Sequence, residues 1–480
     1  MQKVNAKALF EEGENALVGK GQPKNLAKAE AIFSSLLDMN LGNPGIMFQL
    51  ATCYQEMRKP GIAIQLLTQC VQGNPEFGEA WNNLGMAYRS VDMMERAREA
   101  FKKAFGRLPK ISYLATNVSA TYVNQGTPTE AVKWADKALE VDPNDQQAKW
   151  HKGLALLELR DWKDGWVYHE ARLDGGGNEP IALRNYHGED KTPVWDGVSK
   201  GRVVVHGEQG LGDEIMFASC IPDLIATGNE IVLEPSPRSH GLFKRSFKEA
   251  RVYGTHRTDG ADWVKEIGKP DFKVALGSLP KFFRNSEAEF PKHNGYLKAS
   301  MVIREEWHKR LESLGPRPKI GITWQGGVEQ TAWRYRSVPL DRLVPILSQD
   351  ADFVSLQYTP DAEQNIAEFE AATGLKIKHW KHAFSKDIDE LAGLTAELDL
   401  VISVCQTAVH MAGALNVPCW VLTPSRSSWR YAVKGNDMAW YPSVELLRQD
   451  GDDWDTLIQQ TGERLAGHLR SLSESQRRTA

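Results

Sequence analysis

The hydrophobic and polar positions follow two different patterns along the chain. Prolines at 34-residue spacing, Pro75, Pro109 and Pro143, mark a repeated block of aromatic, small and polar positions in the first part of the sequence. After about residue 200, short β-branched runs alternate with helical segments. The patterns predict an array of helical repeats followed by an α/β region, which is an α + α/β architecture.

The cleanest copy of the repeat spans residues 75–108 and fits the tetratricopeptide signature, W-x2-L-G-x2-Y followed by A-x3-F. The signature positions are Trp81, Leu84, Gly85, Tyr88, Ala97 and Phe101. Weaker copies at the same spacing predict roughly four or five helix pairs over residues 1–172. The first helices of such pairs line a concave face.

A column of polar side chains is predicted on that concave face. Two residues after the signature tryptophan position, the repeats carry Gln49, Asn83, Asn117 and His151. Such side chains could hydrogen-bond the backbone of an extended segment, so the column indicates a protein or peptide partner bound along the array. The alternative is that these side chains are only solvated.

The overall composition is that of a globular chain. Of the 480 residues, 41% are hydrophobic and 25% charged, and the net charge is −4. Proteins that bind duplex nucleic acid usually carry a basic field, so DNA is a less favoured partner. The sequence has no apolar leader at its start and no apolar run of ~18 residues, so neither secretion nor a membrane span is expected.

The cysteines predict reduced thiols and hence a cytoplasmic protein, because they are odd in number and have no paired spacing. They are Cys53, Cys70, Cys220, Cys405 and Cys419. No C-x-x-C pair or His/Cys cluster indicates a metal site, and no cofactor is expected.

Residues 173–200 predict a linker, since they are rich in Gly, Pro and Asp and have no period. Trp195 within this stretch is expected to anchor it on a neighbouring domain.

Residues 201–315 predict the first unit of a doubly wound sheet. A strand at Arg202–His206 runs into the glycine turn Gly207–Gly212 and then into a helix. Ligands of such sheets lie outside the carboxyl ends of the strands, which is where Asp213 stands. Further strands are predicted at 230–234 and 272–276.

Residues 316–465 predict a second unit of the same kind, and residues 466–480 predict a polar tail, of which Ser471–Ala480 are expected to lack fixed structure. The predicted strands are 319–324, 352–357, 398–403 and 418–422. The loop at Gln406–Ala408 begins a helix whose free amides would favour a phosphate group. Two such units would suit a diphosphate-linked donor in the second and an acceptor on the first.

Seven short motifs in this region resemble a known enzyme family. In chain order they are EQGLGD (208–213), GITW (321–324), RSVPL (336–340), SLQ (355–357), DLVIS (399–403), HMAGAL (410–415) and WYP (440–442). Together they are similar to the ADP-heptose heptosyltransferase-like glycosyltransferases, and more closely to bacterial and phage proteins that fuse tetratricopeptide repeats to such a domain. The overlap covers residues 1–460, and the architecture also parallels O-GlcNAc transferase.

The resemblance implies a GT-B fold of two Rossmann-like lobes and metal-independent, inverting transfer from a nucleotide-sugar. Asp213 matches the family's general base, which would accept the proton of the acceptor hydroxyl. The positions that would contact the donor are Trp324, Gln325, Gly326, Arg334, Arg336, Gln357, Asp387, Gln406, Thr407, Ala408, His410, Trp429 and Arg430. Acceptor contacts are expected at Glu208, Gln209 and Gly210 and along the polar column of the repeats.

The chain departs from the family at Cys405, where many relatives carry an acid. A buried, unreactive thiol is the preferred interpretation of Cys405, because no neighbouring base is indicated. Other residues also have alternative explanations. Asp213 would suit the start of a helix, His410 a core position, and Arg336 a surface pair with Asp341.

Three functions are open on these grounds. The leading hypothesis is a glycosyltransferase that acts on a protein or peptide presented by the repeats. A second is the same chemistry on a hydroxylated DNA base or a glycan, with a basic groove at Arg238, Lys244, Arg245 and Lys248. A third is a non-catalytic scaffold with a degenerate transferase domain. The sequence does not indicate the donor nucleotide, the sugar or the oligomeric state.

Overall fold

The structure is a computed structural model that describes residues 6–21, 23–40, 42–176, 186, 192–256, 259–327, 333–384, 387–451 and 453–479. For residues 333, 334 and 472–479 it describes the backbone only. The chain divides into two compact units. The repeat unit comprises Met1–Leu156 with Asp174–Pro180, and the sheet unit comprises Leu157–Leu173 with Ile181–Ala480.

The repeat unit is a stack of helix pairs in which each helix from the first to the eighth packs on the next. Its helices are α1 (Ala6–Val18), α2 (Leu26–Met39), α3 (Pro44–Glu56), α4 (Pro60–Gly73), α5 (Gly78–Ser90), α6 (Met94–Arg107), α7 (Ser112–Asn124), α8 (Pro128–Val141) and α9 (Gln146–Glu158), the last of which ends in the sheet unit. A Cβ atom on Gly85 would lie 2.6 Å from the ring of Phe101. The two helices of this pair therefore cross closely only because the signature places a glycine there.

The sheet unit begins earlier than the predicted domain boundary at residue 172. Helix α10 (Trp162–His169) packs with the sheets. The Trp166 indole donates to the carbonyl of Arg284 at 2.8 Å, and the Trp162 indole donates to the Glu287 carboxylate at 2.8 Å. Both indoles are buried. The repeat spacing continues through α10 in the sequence, but burial of its two indoles assigns the helix to the core of the sheet unit.

The first sheet has four parallel strands in the order β3–β2–β1–β4. They are β1 (Arg202–His206), β2 (Glu230–Glu234), β3 (Arg251–Val252) and β4 (Phe272–Ala275). The helices of this part are α11 (Leu211–Phe217), α12 (Ile221–Ala226), α13 (His240–Ser246), α14 (Val264–Ile267) and α15 (Pro280–Phe283). Strand β1 is buried on both faces, and its carboxyl end leads directly into the glycine turn.

The second sheet has six parallel strands in the order β10–β9–β8–β5–β6–β7. They are β5 (Lys319–Ile322), β6 (Asp352–Ser355), β7 (Ile377–Lys378), β8 (Leu400–Val404), β9 (Cys419–Thr423) and β10 (Val444–Arg448). The helices are α16 (Met301–Glu312), α17 (Val344–Leu347), α18 (Ala362–Thr373), α19 (Asp389–Ala396), α20 (Thr407–Ala414) and α21 (Asp455–Thr479). The strand order reverses between β5 and β8, so a ligand crevice is expected at their carboxyl ends.

The predicted strands are confirmed, with ends that shift by a few residues. Strands β3, β7 and β10 were not predicted from the sequence. The first two have only two residues each, and β10 carries Glu445 and Arg448, so none has the long apolar run that marks a buried parallel strand.

The predicted polar tail is helical in the structure. Helix α21 continues through it to Thr479, because Leu465 and Leu469 lie on a face that packs into the core of the second sheet. Among the described residues, no helix is both long and apolar enough to cross a bilayer.

The prediction for Trp195 is confirmed. Its side chain is 1% exposed and lies 5.1 Å from the ring of Phe282, centroid to centroid. Much of the predicted linker, residues 177–185 and 187–191, lies outside the described residues.

Candidate functional site

The glycine turn after β1 and the start of α20 meet within the sheet unit. A Cβ atom on Gly212 would lie 3.1 Å from the His410 ring and 3.4 Å from the Thr407 hydroxyl. The absence of a side chain at Gly212 therefore lets α11 approach α20. In this way the ends of the two central strands β1 and β8 bring their following helices together.

Asp213 and Arg430 face each other at this meeting point. The Arg430 guanidinium donates to Asp213 Oδ1 through Nε at 2.7 Å and also through Nη2. The two side chains are 18% and 20% exposed, respectively, so both are reachable from solvent. The described residues donate no hydrogen bond to Asp213 Oδ2. Two residues predicted for the base and the donor site, 217 positions apart in the chain, are thus in direct contact.

Gln406 precedes the first turn of α20 and is 6% exposed. Its Nε2 and Oε1 atoms are buried and have no hydrogen-bond partner among the described residues. Burying an amide without a partner costs about 1–3 kcal/mol. A buried amide in this state, beside the free N–H groups of a helix start, is a candidate ligand-binding group.

The two residues before Gly210 have different environments. Gln209 has a φ angle of +60°, and its Nε2 atom is buried without a partner in the described part of the chain. Glu208, by contrast, is 2% exposed and accepts two hydrogen bonds from Arg172, at 2.6 and 2.9 Å. It also accepts from the backbone of Gly277 at 2.7 Å. Glu208 therefore fixes the glycine turn, and an acceptor could reach its carboxylate only if these bonds opened.

Gln357 holds the loop that follows β5. Its Oε1 accepts from the backbone N–H groups of Trp324 and Gln325, and its Nε2 donates to the carbonyl of Gln325 at 3.1 Å. The side chain is fully buried. The predicted donor contact at Gln357 thus becomes a support for the neighbouring predicted residues. A Cβ atom on Gly326 would lie 2.7 Å from the Cys405 carbonyl, so this position requires glycine.

A cavity of about 590 Å³ adjoins the same loop. It is lined by Trp324, Gln325, Ser337, Val338, Pro339, Leu340, Asp341, Asn365, Glu368, Phe369, Ala372 and Thr373. Trp324 is 3% exposed, and its indole N–H has no partner among the described residues. The cavity combines an apolar floor with a few polar groups, as ligand pockets commonly do.

Cys405 is 1% exposed, and burial raises the pKa of its thiol to about 12. The thiol is therefore neutral at ordinary pH, as expected for a buried cysteine. Arg336 lies close enough for its charge to oppose this pKa shift. For Arg334 only the backbone is described, in the short helix Trp333–Arg336. Asp387 is exposed at the start of α19, where its carboxylate accepts from the backbone of Asp389.

Trp429 belongs to an aromatic cluster. Its ring stacks on Phe217 at 6.3 Å between centroids and meets Trp166 edge-on at 5.6 Å. Trp166 also contacts Phe217 and Trp440. Trp429 is 6% exposed, so its ring faces protein and leaves little surface for the donor contact predicted at this position. The cluster ties helix α10 to the residues next to Asp213 and Arg430.

His410 has the core environment that was one of its two predicted alternatives. Its Nδ1 atom lies 3.1 Å from the hydroxyl of Tyr441, and burial lowers its pKa to about 3, with a further contribution from Arg430. The imidazole is therefore neutral. It can position Tyr441 and α20 but carries no charge for a phosphate.

The polar column of the repeats is largely bonded within the array. Gln49 donates to Glu14 at 2.7 Å, Asn83 to the Thr52 hydroxyl at 3.3 Å and Asn117 to Asn82 at 3.0 Å. These bonds join successive first helices. His151 differs, because its Nδ1 atom has no partner among the described residues.

Two site residues were missed in the sequence. Arg172 carries no motif, and only the fold brings it to Glu208. Glu214 directly follows the motif Asp213, which could have drawn attention to it. Its carboxylate accepts from the Ser236 backbone at 2.7 Å and the Ser239 hydroxyl at 2.5 Å, which fixes α11 against the end of β2.

Comparison with known proteins confirms the repeats. The tetratricopeptide repeat family model matches residues 78–109 and 114–145. The chain therefore carries tetratricopeptide repeats, followed by the two parallel sheets described above. The crystal structure of MamA is 20% identical, covers 34% of this chain and 92% of its own, and has a TM-score of 0.31.

Two further proteins are similar to this chain, one over most of its length and one over about a third. Protein FlbA of Caulobacter vibrioides is 27% identical over 441 residues, which are 82% of this chain and 73% of FlbA. A Hordeum vulgare protein named "Probable UDP-N-acetylglucosamine--peptide N-acetylglucosaminyltransferase SPINDLY" is 29% identical over 156 residues. That match covers 31% of this chain and 16% of the SPINDLY protein, so it is a partial similarity to a peptide glycosyltransferase.

Proposed function

We propose that the chain is a glycosyltransferase of the GT-B type, which moves a sugar from a nucleotide-sugar to a hydroxyl of a peptide held by the repeats. The observation that carries the proposal is Gln406. Its buried amide has no partner among the described residues, and it stands at the start of α20, where the next residue, Thr407, lies close to Gly212 in the turn before Asp213. The partial similarity to a SPINDLY protein supports the same class of enzyme.

In the proposed site, the donor diphosphate lies at the start of α20. The free N–H groups of the helix and the Gln406 amide donate to its oxygens, and the Arg430 guanidinium balances its charge. The nucleoside extends along the crevice between β5 and β8 toward the cavity beside Trp324. Gln357 keeps the loop at Trp324 and Gln325 in place for this contact.

The reaction is a direct displacement. Asp213 Oδ2 accepts the proton of the acceptor hydroxyl while the hydroxyl oxygen bonds to the anomeric carbon. The bond from that carbon to the diphosphate oxygen breaks, and the charge of the leaving nucleotide is stabilised by Arg430 and α20. Asp213 can act in this way because Arg430 contacts only Oδ1, which leaves Oδ2 facing Gly210.

The first test is a thermal-shift screen of the full chain against UDP-, GDP-, ADP-, CMP- and dTDP-sugars. We expect one nucleotide family to raise the melting temperature. The shift should be lost in Gln406→Leu and kept in Gln460→Leu, which changes an exposed glutamine on α21. If no nucleotide-sugar raises the melting temperature of the wild type, the chain is better explained as a non-catalytic repeat scaffold.

Transfer itself is tested with the donor that the screen identifies. Asp213→Asn should lower turnover by about 10²–10⁴-fold while the thermal shift remains, because the amide oxygen can still accept from Arg430 but the side chain can no longer take a proton. Full turnover in this variant would remove Asp213 as the base. Labelling of DNA in place of peptide would favour the other acceptor. Arg245 of the predicted basic groove, however, is already paired with Asp389.

A further inference from the structure

The segment that follows the short helix of Arg430, residues 432–437, belongs to no helix or strand. Ala432 and Gly435 within it have positive φ angles, +51° and +85°. A left-handed backbone is rare for a residue with a Cβ atom, so the conformation at Ala432 has to be held by its surroundings. One contact is local, since the Ser427 hydroxyl donates to the Ala432 carbonyl at 3.1 Å. The other contacts come from residues more distant in the chain.

Arg448, the last residue of β10, binds this segment through its backbone. Its guanidinium donates to four carbonyls, those of Tyr431 at 2.5 Å, Gly435 at 2.6 Å, Ala432 at 3.1 Å and Lys434 at 3.4 Å. Strand β10 pairs with β9 along its whole length, so it presents the guanidinium from a fixed backbone. The planar fork of an arginine can bind several carbonyls at once, whereas the single nitrogen of a lysine cannot reach all four.

Neighbouring contacts fix the two ends of the same stretch. On one side of Arg430, the Trp429 ring is buried in the aromatic cluster. At the far end, the Arg160 guanidinium donates to the Asp437 carboxylate at 2.8 Å and to the Asp437 carbonyl at 2.9 Å. Between these two anchors, the backbone directly after Arg430 is bound by Arg448.

The position of this backbone matters because Arg430 reaches from the second sheet to Asp213 of α11. Two nitrogens of its guanidinium donate to the same oxygen, Asp213 Oδ1, with Nε at 2.7 Å. Groups that act in binding or catalysis have to be held within about 0.5 Å of their productive positions by the residues that support them. A displacement of the segment after Arg430 would therefore break this pairing.

We propose that Arg448 is a positioning residue, which binds the backbone after Arg430 and thereby keeps the Arg430 guanidinium on Asp213, where it can meet a donor diphosphate. The inference rests on the proposed function, in which Arg430 balances the charge of that diphosphate. Arg448 has no contact with the donor in this scheme and acts only through Arg430.

Hydrogen exchange of the ligand-free full chain, followed by mass spectrometry, tests whether Arg448 holds the segment. In Arg448→Met, the amides of residues 431–437 should exchange about tenfold faster than in the wild type, while those of β5 and β8 keep their rates. The control is Arg464→Gln, which removes an arginine that donates to Glu445 on the same strand at 2.8 Å and should leave the segment unchanged. Equal exchange in the wild type and Arg448→Met would overturn the inference.

Titration calorimetry with UDP, GDP and ADP tests whether Arg448 acts through Arg430. For a nucleotide that binds the wild type, Arg448→Met should raise Kd about tenfold, and Arg448→Lys should raise it less. In the Arg430→Met background, the change Arg448→Met should alter Kd by less than about twofold, because the group that it positions is already gone. A purely structural role would weaken binding by the same factor in both backgrounds, and that result would overturn the inference.

The two measurements separate this inference from the proposed function. If none of the nucleotides binds the wild type, the proposed function fails, and hydrogen exchange alone decides whether Arg448 holds the segment after Arg430. Melting curves establish that each variant is folded. If Arg448→Met does not fold, Arg448→Lys replaces it in both measurements, with smaller changes expected in the same direction.

Discussion

The polar column of the repeats and the polar groups around α20 were predicted by the same kind of argument, but their hydrogen bonding differs. Gln49, Asn83 and Asn117 bond to neighbouring helices, whereas Gln406 and the Nε2 atom of Gln209 have no partner among the described residues. A bonded column stabilises the stack without a ligand. The unpartnered amide groups at the ends of β8 and β1 lower the stability of the ligand-free protein. Preorganised binding sites have this second property.

The largest expected effect concerns a buried ion pair of the sheet unit, whose carboxylate would lose its partner. Arg172→Ala would leave Glu208, 2% exposed, without its bidentate partner. We expect a loss of about 3–5 kcal/mol in the free energy of unfolding, measured by urea denaturation. The control is Arg251→Ala, which removes an exposed pair with Glu230 and should cost less than about 1 kcal/mol. Equal losses in the two variants would show that the Arg172–Glu208 pair does not stabilise the glycine turn.

A second prediction concerns the pH dependence of stability that a buried carboxyl group, Glu158, introduces. Glu158 is 4% exposed, and burial raises its pKa to about 8, against the opposing charge of Arg448. The folded state therefore holds a proton that the unfolded state releases, and stability falls as pH rises from about 4.5 to 8. Glu158→Gln lacks this loss, so its stability relative to the wild type should rise by roughly 2–4 kcal/mol between pH 5 and 8.

Urea denaturation at pH 5, 6.5 and 8 measures this difference. Glu249→Gln, at an exposed position, serves as the control and should show no trend with pH. A constant difference between Glu158→Gln and the wild type across the three pH values would contradict a raised pKa.

The third prediction is a substitution at a buried position that should not lower the free energy of unfolding, unlike most core substitutions. Gln406→Leu removes a buried amide without a partner, so the ligand-free protein should be unchanged or more stable by about 1–2 kcal/mol. Thermal denaturation without nucleotide measures this effect. A loss of more than about 1 kcal/mol would mean that the Gln406 amide is already bonded in the ligand-free protein, for example to ordered water.

The smallest expected effect belongs to the repeats. Asn117→Ala breaks the bond to Asn82 and should cost about 1 kcal/mol in the free energy of unfolding. Asn124→Ala, at an exposed position near the end of the same helix, should cost less than about 0.5 kcal/mol. If the two variants behave alike, the column is solvated and does not join the helices.

Much of the fold was predictable because it depends on local patterns. The 34-residue period and the pairing of Gly85 with Phe101 specify the helix pairs, and apolar runs such as Val203–Val205 specify buried parallel strands. Helix α21 was not predicted beyond residue 465, because its second half is polar except where Leu469 meets the core. Such a contact cannot be deduced from polarity along the chain.

The motifs pointed to residues that the fold brings close together, but their roles stay predictions. Asp213 and Arg430 are in direct contact, and Gly212 lies close to Thr407 at the start of α20. The sequence could not show that Gln357 would be used to hold a loop or that Trp429 would be buried among aromatic rings, since both outcomes depend on neighbours distant in the chain.

The position of helix α10 determines where the chain can be divided without damage to the sheet unit. Its indoles and the nearby Arg172 complete the interior of the sheet unit, although the period of the repeats runs through them. A fragment that starts at residue 173 would expose Phe217 and Trp429 and leave Glu208 with an uncompensated charge. A fragment that keeps the sheet unit intact therefore has to start no later than Leu157, and a junction between exchanged repeats and this unit belongs there.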